Sequence, residues 1–371
     1  MKIMISLASW TVGKSGGDVH ALEVAREWSN EHEIHFLCPT GAIPLVLEYV
    51  PNAITHDLGQ TNASRTTLAQ SLNYVLRISK TRKAIQAAGD FDCFIAGSHF
   101  LPDSIALLSS SCRLRAMYVY HLSSFKQRGF SFRTTIAILA ERISLLFVWK
   151  LDMLVIVSNK ATNHKLNKHF QTYFTDLGLD LQKFNLKSSE LRSISVLFFA
   201  RIVSSKGYKD FIKCIEIHGN SIKQNGRIVM VGTGPEVDQL TSEIARAGMG
   251  ELIEYLGFVT ESEKIKLLQS TQVVLAPSYE EGWGIAVAES MAAGAVPIAY
   301  DLEVLEELFP VGLQRVPLGD YRKLGETASF LLKNKDELRE LSESSKDFIK
   351  KYDVRRIAQD ELTAIAGRAT E

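Results

Sequence analysis

Short apolar runs rich in β-branched residues alternate along the chain with longer stretches whose apolar positions recur every three to four residues. This alternation predicts βαβ units and a mainly parallel sheet. It occurs in two series. The first places strands at residues 2–7, 33–38, 92–96, 115–120 and 152–157; the second at 195–200, 227–231, 254–259, 272–276 and 295–300. Each series has the content of one doubly wound domain. Residues 179–192 between them are polar, lack a clear period and read as a linker, with the boundary near Lys187. Residues 338–367 are helical in pattern and charge-rich. The expected division is a first domain at 1–187, a second at 188–350, and a C-terminal helix at 351–371 packing back on the first.

A length of 371 residues with 46% hydrophobic content suits two ordinary cores. Lys plus Arg and Asp plus Glu each total 42, which gives no argument for a nucleic-acid partner. The balance hides an asymmetry. Residues 1–190 hold 20 Lys and Arg against 15 Asp and Glu, and the remainder holds 22 against 27. Arg65, Arg77, Lys80, Arg82 and Lys83 form a basic stretch without an acid, as do Arg113, Arg115, Lys126, Arg128 and Arg133. Either is a solvated face or meets an anionic acceptor or membrane surface. Cys38, Cys93, Cys112 and Cys214 form no C-x-x-C pair and read as reduced core residues of a cytoplasmic protein. The N-terminal apolar run is too short for a signal peptide, and Glu141 with Arg142 interrupts the apolar segment 136–149, so no segment is expected to span a bilayer.

In doubly wound sheets ligands sit outside the carboxyl ends of the strands, so the loops after those strands are the place to look for chemistry. Residues 272–300, QVVLAPSYEEGWGIAVAESMAAGAVPIAY, read as strand, glycine-containing loop, helix, a stop at Gly294 and a second strand. Gly282 and Gly284 let backbone N–H groups approach a ligand at a helix N-terminus. Glu281 lies in the loop and Glu289 inside the helix; a carboxylate accepts two hydrogen bonds from a vicinal diol, so the pair suits two sugar rings of one ligand. Residues 195–217, SVLFFARIVSSKGYKDFIKCIEI, set Arg201 and Lys206 after a buried-type strand, where two cations suit a diphosphate leaving group. In RIVMVGTGPEVDQL, residues 227–240, Gly232 and Gly234 form a strand-to-helix turn with Pro235 at the first helical position. In the first domain Gly16 and Gly17 precede a helix, and His121 ends the strand MYVY.

Glu281 and Glu289 enclose seven residues, and EGWGIAVAESMAAGAVPI resembles the E-x7-E signature of the retaining glycosyltransferase family 4. The resemblance implies a GT-B fold, two Rossmann-like domains facing a central cleft. It implies that Glu281 and the backbone of Gly282, Trp283 and Gly284 hold the transferred sugar and that Glu289 holds the ribose. Arg201 and Lys206 would grip the donor diphosphate, and the turn at Val259 in LGFV would meet the base near Gly232 and Gly234. Gly16 and Gly17 resemble the family's N-terminal glycine loop, and His121 stands where a His often lines the cleft beside the donor sugar. Trp283 replaces the usual Phe, Leu177 stands where Asn is frequent, and DLEVLEEL at 301–308 lacks the usual paired glycines.

The expected activity is transfer of a sugar from a UDP- or GDP-sugar to a glycan, polysaccharide or lipid-linked acceptor, with retention of configuration. The sugar nucleotide is a co-substrate and no metal is needed, because Arg201 and Lys206 can neutralise the diphosphate; the D-x-D triplet Asp90-Phe91-Asp92 enters a strand at its amino end. A peripheral membrane contact through the first domain is compatible with its basic stretches. Other classes stay open. ASWTVGKS at residues 8–15 fits a relaxed phosphate-loop pattern of a nucleoside triphosphatase, although Gly16 and Gly17 would then weaken the receiving helix. A GT-B nucleotide-sugar epimerase and a non-catalytic clamshell sugar-binding protein are the remaining alternatives.

Overall fold

The computed structural model describes residues 1–9, 16–59, 67–120, 122, 132–184 and 192–367, and the chain divides into two compact units. Unit 1 comprises residues 1–178 and 354–371, and unit 2 residues 179–353.

The sheet of unit 1 contains β1 (Lys2–Ser6), β2 (Glu33–Cys38), β3 (Ile54–Asp57), β4 (Cys93–Ala96), β5 (Leu114–Val119), β6 (Leu154–Val157) and β7 (Gln171–Phe174). Their order is β3-β2-β1-β4-β5-β6-β7, with every pairing parallel. Helices α1 (Gly16–Trp28), α2 (Ile43–Tyr49), α3 (Thr67–Ala88), α4 (Leu101–Ser109), α5 (Phe132–Val148) and α6 (Lys160–Leu166) connect them. Because side chains alternate along a strand, β1 serves two cores. Ile3 and Ile5 pack with Leu22 and Trp28 of α1, whereas Met4 packs with Ile85 of α3 and Leu107 of α4.

The C-terminal helix Val354–Gly367 closes the first of these cores with Val354, Ala358 and Ile365. The indole of Trp28 donates to Ala358 O at 2.8 Å. Glu361, fully buried, meets His20 Nε2 at 3.1 Å and accepts from Tyr118 Oη at 2.5 Å and Thr175 Oγ1 at 2.9 Å. A buried carboxylate needs such partners, and here three elements supply them.

Unit 2 repeats the plan with β8 (Ile194–Phe199), β9 (Arg227–Val231), β10 (Ile253–Tyr255), β11 (Thr271–Ala276), β12 (Val296–Tyr300) and β13 (Gln314–Val316). The order is β10-β9-β8-β11-β12-β13, again parallel. The helices are α7 (Tyr208–Lys223), α8 (Val237–Arg246), α9 (Glu261–Gln269), α10 (Ile285–Ala292), α11 (Glu303–Leu308), α12 (Tyr321–Lys333) and α13 (Lys335–Ile349). Val196 and Phe198 pack with Phe211 of α7 and Leu324 of α12; Leu197 packs with Ile265 and Leu268 of α9.

The units divide at Gly178, ahead of the expected Lys187. Phe184 is buried in the core of unit 2 with Ile194 and Leu268, and Leu179 bridges Asp353, so the start of the supposed linker is built into unit 2. The second crossing falls at Val354 and not at residue 351, because the Tyr352 hydroxyl is held by Leu308 O within unit 2. Lys187 itself lies outside the described residues. Three strands escaped the apolar pattern. They are β3, β7 and β13, the short edge strands ITHD, QTYF and QRV, whose partly exposed residues need no apolar run. The strand expected at 254–259 stops at Tyr255, since Gly257 turns the chain with a φ of 66°. All four cysteines are buried and unpaired. Among the described residues no helix is long and apolar enough to cross a membrane.

Candidate active site

In unit 2 the strand order reverses between β8 and β11, so their carboxyl-end loops form the crevice where doubly wound sheets take ligands. Gly207 brings the loops together. It begins α7 with a φ of 71°, and a Cβ there would stand 1.8 Å from Pro277 O. Only glycine permits both the conformation and the approach. Tyr279 N then donates to Ser205 O at 2.8 Å, and the Tyr279 hydroxyl donates to Asp210 Oδ2 at 2.6 Å. Tyr300 Oη donates to the same oxygen at 2.7 Å. The bond to Asp210 pushes the Tyr279 phenol up to about 12, so it remains a donor at neutral pH.

This brace carries two of the expected residues into contact. Lys206 Nζ lies 2.8 Å from Glu281 Oε1, both side chains partly exposed. Arg201 is exposed on the same β8 loop. The loop is shaped from its other side by Glu236, which accepts from Ser204 N at 2.9 Å, Ser204 Oγ at 2.6 Å and Tyr208 Oη at 3.1 Å. The Ser204 hydroxyl and amide hold the Glu236 carboxyl below its usual range. A Cβ on Gly232 would stand 1.8 Å from Ala200 O and one on Gly234 2.2 Å from Ile202 O. Both glycines therefore let the β9 loop lie against the β8 loop, and Gly232 N is committed to Gly257 O at 2.9 Å.

Past Glu281 the chain diverges in character. Gly282 is open on its Cβ side, and Gly284 takes a φ of 96° to start α10. The Trp283 side chain is buried, edge-on to Phe309 at 5.4 Å and to Tyr352 at 5.2 Å between ring centroids. Of Trp283 only the backbone remains for a ligand, and its buried indole N–H has no hydrogen-bond partner among the described residues. Glu289, buried in α10, pairs with Lys264 Nζ of α9 at 2.6 Å, and Lys264 also reaches Glu261 at 3.0 Å. Burial raises the Glu289 carboxyl while Lys264 pulls it back down. Val259 is half-buried against the core beside α9; its neighbour Phe258 is 75% exposed.

Sequence reasoning missed Glu236, Asp210, Tyr279 and Lys264. The Glu after Gly234-Pro235 was visible, but nothing in its spacing says that it reaches back to Ser204. Lys264 sits in an ordinary charged helix and becomes notable only against Glu289.

In unit 1, α1 opens at Gly16, so Gly16 and Gly17 occupy its first turn. A Cβ on Gly17 would stand 2.4 Å from the Tyr120 ring, whose hydroxyl donates to Gly17 O at 2.8 Å. Gly17 thus has a packing reason. His121 lies outside the described residues, as do residues 10–15 of the phosphate-loop-like segment. Asp92 stands at the amino end of β4 and accepts from Lys2 N at 2.7 Å.

Residues 182–348 match the family described as glycosyl transferases group 1. The phosphatidyl-myo-inositol mannosyltransferase of Mycobacterium leprae is 36% identical over 117 residues, 31% of this chain and 30% of that protein. The N,N'-diacetylbacillosaminyl-diphospho-undecaprenol alpha-1,3-N-acetylgalactosaminyltransferase of Campylobacter jejuni is 27% identical over 203 residues, 54% of this chain and 51% of that protein. The matches to the first curated relatives span about 30% of their length. Among solved structures, Anabaena HepE in complex with UDP and glucose superposes with a TM-score of 0.76 at 18% identity, covering 99% of this chain and 100% of that one. Residues 182–348 of this chain, within unit 2, are thus similar to glycosyl transferases group 1, and the two parallel doubly wound sheets with the superposition give the chain a two-domain, Rossmann-like fold of the GT-B type.

Proposed function

We propose that the protein transfers a sugar from a nucleoside diphosphate sugar to a hydroxyl of a glycan or lipid-linked acceptor, with retention of anomeric configuration and without a metal ion. The observation that carries this reading is the meeting of Lys206 and Glu281 at the switch point of unit 2. A cation suited to a diphosphate and a carboxylate suited to sugar hydroxyls stand within one hydrogen bond of each other. A donor lying there exchanges one ion pair for two contacts: its diphosphate takes Lys206, with Arg201 nearby, and its sugar hydroxyls donate to Glu281. Negative charge grows on the diphosphate as the glycosidic bond stretches, so fixed cations stabilise the transition state more than the ground state. The leaving phosphate oxygen then accepts the proton of the acceptor hydroxyl, which attacks on the face it vacates. Glu289 accepts the ribose hydroxyls, and the exposed Phe258 offers a ring for the base. The relatives named for lipid-borne acceptors support the choice of acceptor class.

The test is a thermal-shift and turnover screen of UDP- and GDP-sugars with polyprenyl-diphosphate and oligosaccharide acceptors, in the presence of EDTA. Transfer with an unchanged anomeric configuration is expected. Sugar-nucleotide isomerisation without any acceptor would replace this reading by an epimerase, and ATP hydrolysis alone by a nucleoside triphosphatase.

A further inference from the structure

Glu289 has two unlike carboxylate oxygens, and the difference is made on the neighbouring helix. Thr260 caps α9 through a closed box with Glu263, and Ile265 and Leu268 pack the helix into the core beside Leu197 and Val274. Lys264, on the same helix, is thereby brought against α10. Its Nζ lies 2.6 Å from Glu289 Oε1 and 3.0 Å from Glu261 Oε1. The Lys264 side chain is 20% exposed and that of Glu289 9%. Oε1 is thus taken, whereas Oε2 has no hydrogen-bond partner among the described residues. A carboxylate oxygen in a side chain so deeply buried is unfavourable unless something supplies it a donor, and a ligand hydroxyl does so.

The other charges around Glu289 do not replace Lys264. The turn Leu181–Phe184, packed on α9, carries Lys183, which lies 3.8 Å from Asp180. On the α13 side the cations Lys346 and Arg192 stand at Gly294, past the end of α10. Strands β11 and β12 carry one ionisable side chain, Tyr300, whose hydroxyl is committed to Asp210. Among the described residues Lys264 is the cation within ion-pair distance of Glu289.

From this geometry we infer that Lys264 is a positioning residue for the donor: by taking Oε1 it fixes the Glu289 carboxylate so that Oε2 accepts from the ribose diol. The inference rests on the ribose role proposed for Glu289 and adds the group on which that role depends. An ionised carboxylate only accepts, which suits hydroxyls; protonated, it turns one oxygen into a donor. Burial raises the Glu289 carboxyl and Lys264 opposes the rise. Without a charge at position 264, Glu289 therefore keeps its proton closer to neutrality, and nucleotide binding becomes dependent on pH through this group.

The experiment is calorimetric titration of UDP and GDP into the wild type, Lys264→Gln, Lys264→Arg, Glu289→Gln and Lys264→Gln/Glu289→Gln between about pH 6 and 9, with folding checked at each pH. Lys264→Gln keeps a donor for Oε1 and removes the charge. The ratio of wild-type to Lys264→Gln affinity, in which the ionisation of the ligand cancels, should be about tenfold at the acid end and shrink toward the alkaline end, the effect of moving one carboxyl by about a unit. Lys264→Arg should show no such slope. The double variant should bind as Glu289→Gln does, because Lys264 acts through Glu289. The wild type gives a readout that needs no variant: its preference for the nucleotide over the 2′,3′-dideoxy form should hold constant across this range. A preference that grows with pH, or a Lys264→Gln ratio near one or independent of pH, would overturn the inference and leave Lys264 a structural residue. A double variant weaker than Glu289→Gln would also overturn it, placing Lys264 on the ligand itself. Wild-type protein that binds neither UDP nor GDP would instead remove the donor reading, and this inference with it.

Discussion

Lys206 Nζ stands 2.8 Å from Glu281 Oε1, although the two residues are 75 positions apart in the chain. The pair is partly exposed and contributes little to stability by itself. On the proposed reading a donor would take the place of this contact, its diphosphate on Lys206 and its sugar on Glu281. Lys206→Ala is expected to lower kcat about 100-fold, ~2.7 kcal/mol of transition-state stabilisation, with a smaller change in donor affinity. Arg201→Ala should act similarly, and the double variant should lose less than the sum if, as proposed, both serve one diphosphate. Steady-state kinetics of the folded variants decide; a rate within about twofold of wild type would remove Lys206 from the site.

Glu289 and Lys264 make a different forecast, because this pair is largely buried. Lys264→Met leaves a carboxylate in the protein interior without its cation, which costs about 3 kcal/mol when the group is charged. Burial already raises the Glu289 carboxyl, and loss of Lys264 raises it further. A carboxyl raised in the folded state favours folding below its unfolded value, and that contribution is lost as pH rises through the folded value. The destabilisation of Lys264→Met should therefore be largest at neutral pH and shrink in acid. Melting curves across pH test this; a pH-independent deficit would mean that Lys264 acts only through packing. Glu289→Gln should mainly weaken UDP or GDP binding, and unchanged nucleotide affinity would contradict the ribose role.

Asp103 sets a pH dependence in unit 1. Burial pushes its carboxyl up to about 6, against the pull of the Ser6 and Ser98 hydroxyls and Ala8 N. The unfolded value lies near 4, so the folded state holds the extra proton and stability falls as pH rises from about 4 to about 6. Asp103→Asn keeps one acceptor for Ser6 and Ala8, and Ser98 can rotate to accept from the amide. That variant should flatten the pH dependence in this window. Denaturation midpoints that keep the wild-type slope would refute the assignment.

Trp283 separates packing from polarity. Its indole fills the space against Phe309 and Tyr352, yet among the described residues the buried N–H has no partner. Trp283→Phe removes an unsatisfied donor and keeps an aromatic ring, so it should cost less than about 1.5 kcal/mol; Trp283→Ala should cost about 3 to 5. Chemical denaturation measures both. Equal losses would show that the cluster does not depend on an aromatic ring at this position.

The apolar alternation foretold both sheets because central parallel strands are buried on both faces and must be apolar throughout, as Val196, Leu197 and Phe198 are. Edge strands such as Gln314–Val316 obey no such demand and left no mark. The site divided along similar lines. Lys206 and Glu281 lie on the loops where topology concentrates ligands, and the topology can be read from strand order. Asp210 beneath Tyr279 and Lys264 beside Glu289 depend on tertiary approach between helices, for which local sequence has no signal.

Glu361 completes the buried polar centre of unit 1, although Leu179–Asp353, the whole of unit 2, separates it from the strands it serves. During synthesis His20, Tyr118 and Thr175 emerge early and wait for their shared acceptor until unit 2 has been made. Domains generally fold as units, and the N-terminal one usually first. Here the order is inverted: the continuous unit 2 can finish on the ribosome while the discontinuous unit 1 still lacks its last helix. A chain that stops short of Glu361 therefore carries a complete unit 2 and an unclosed unit 1.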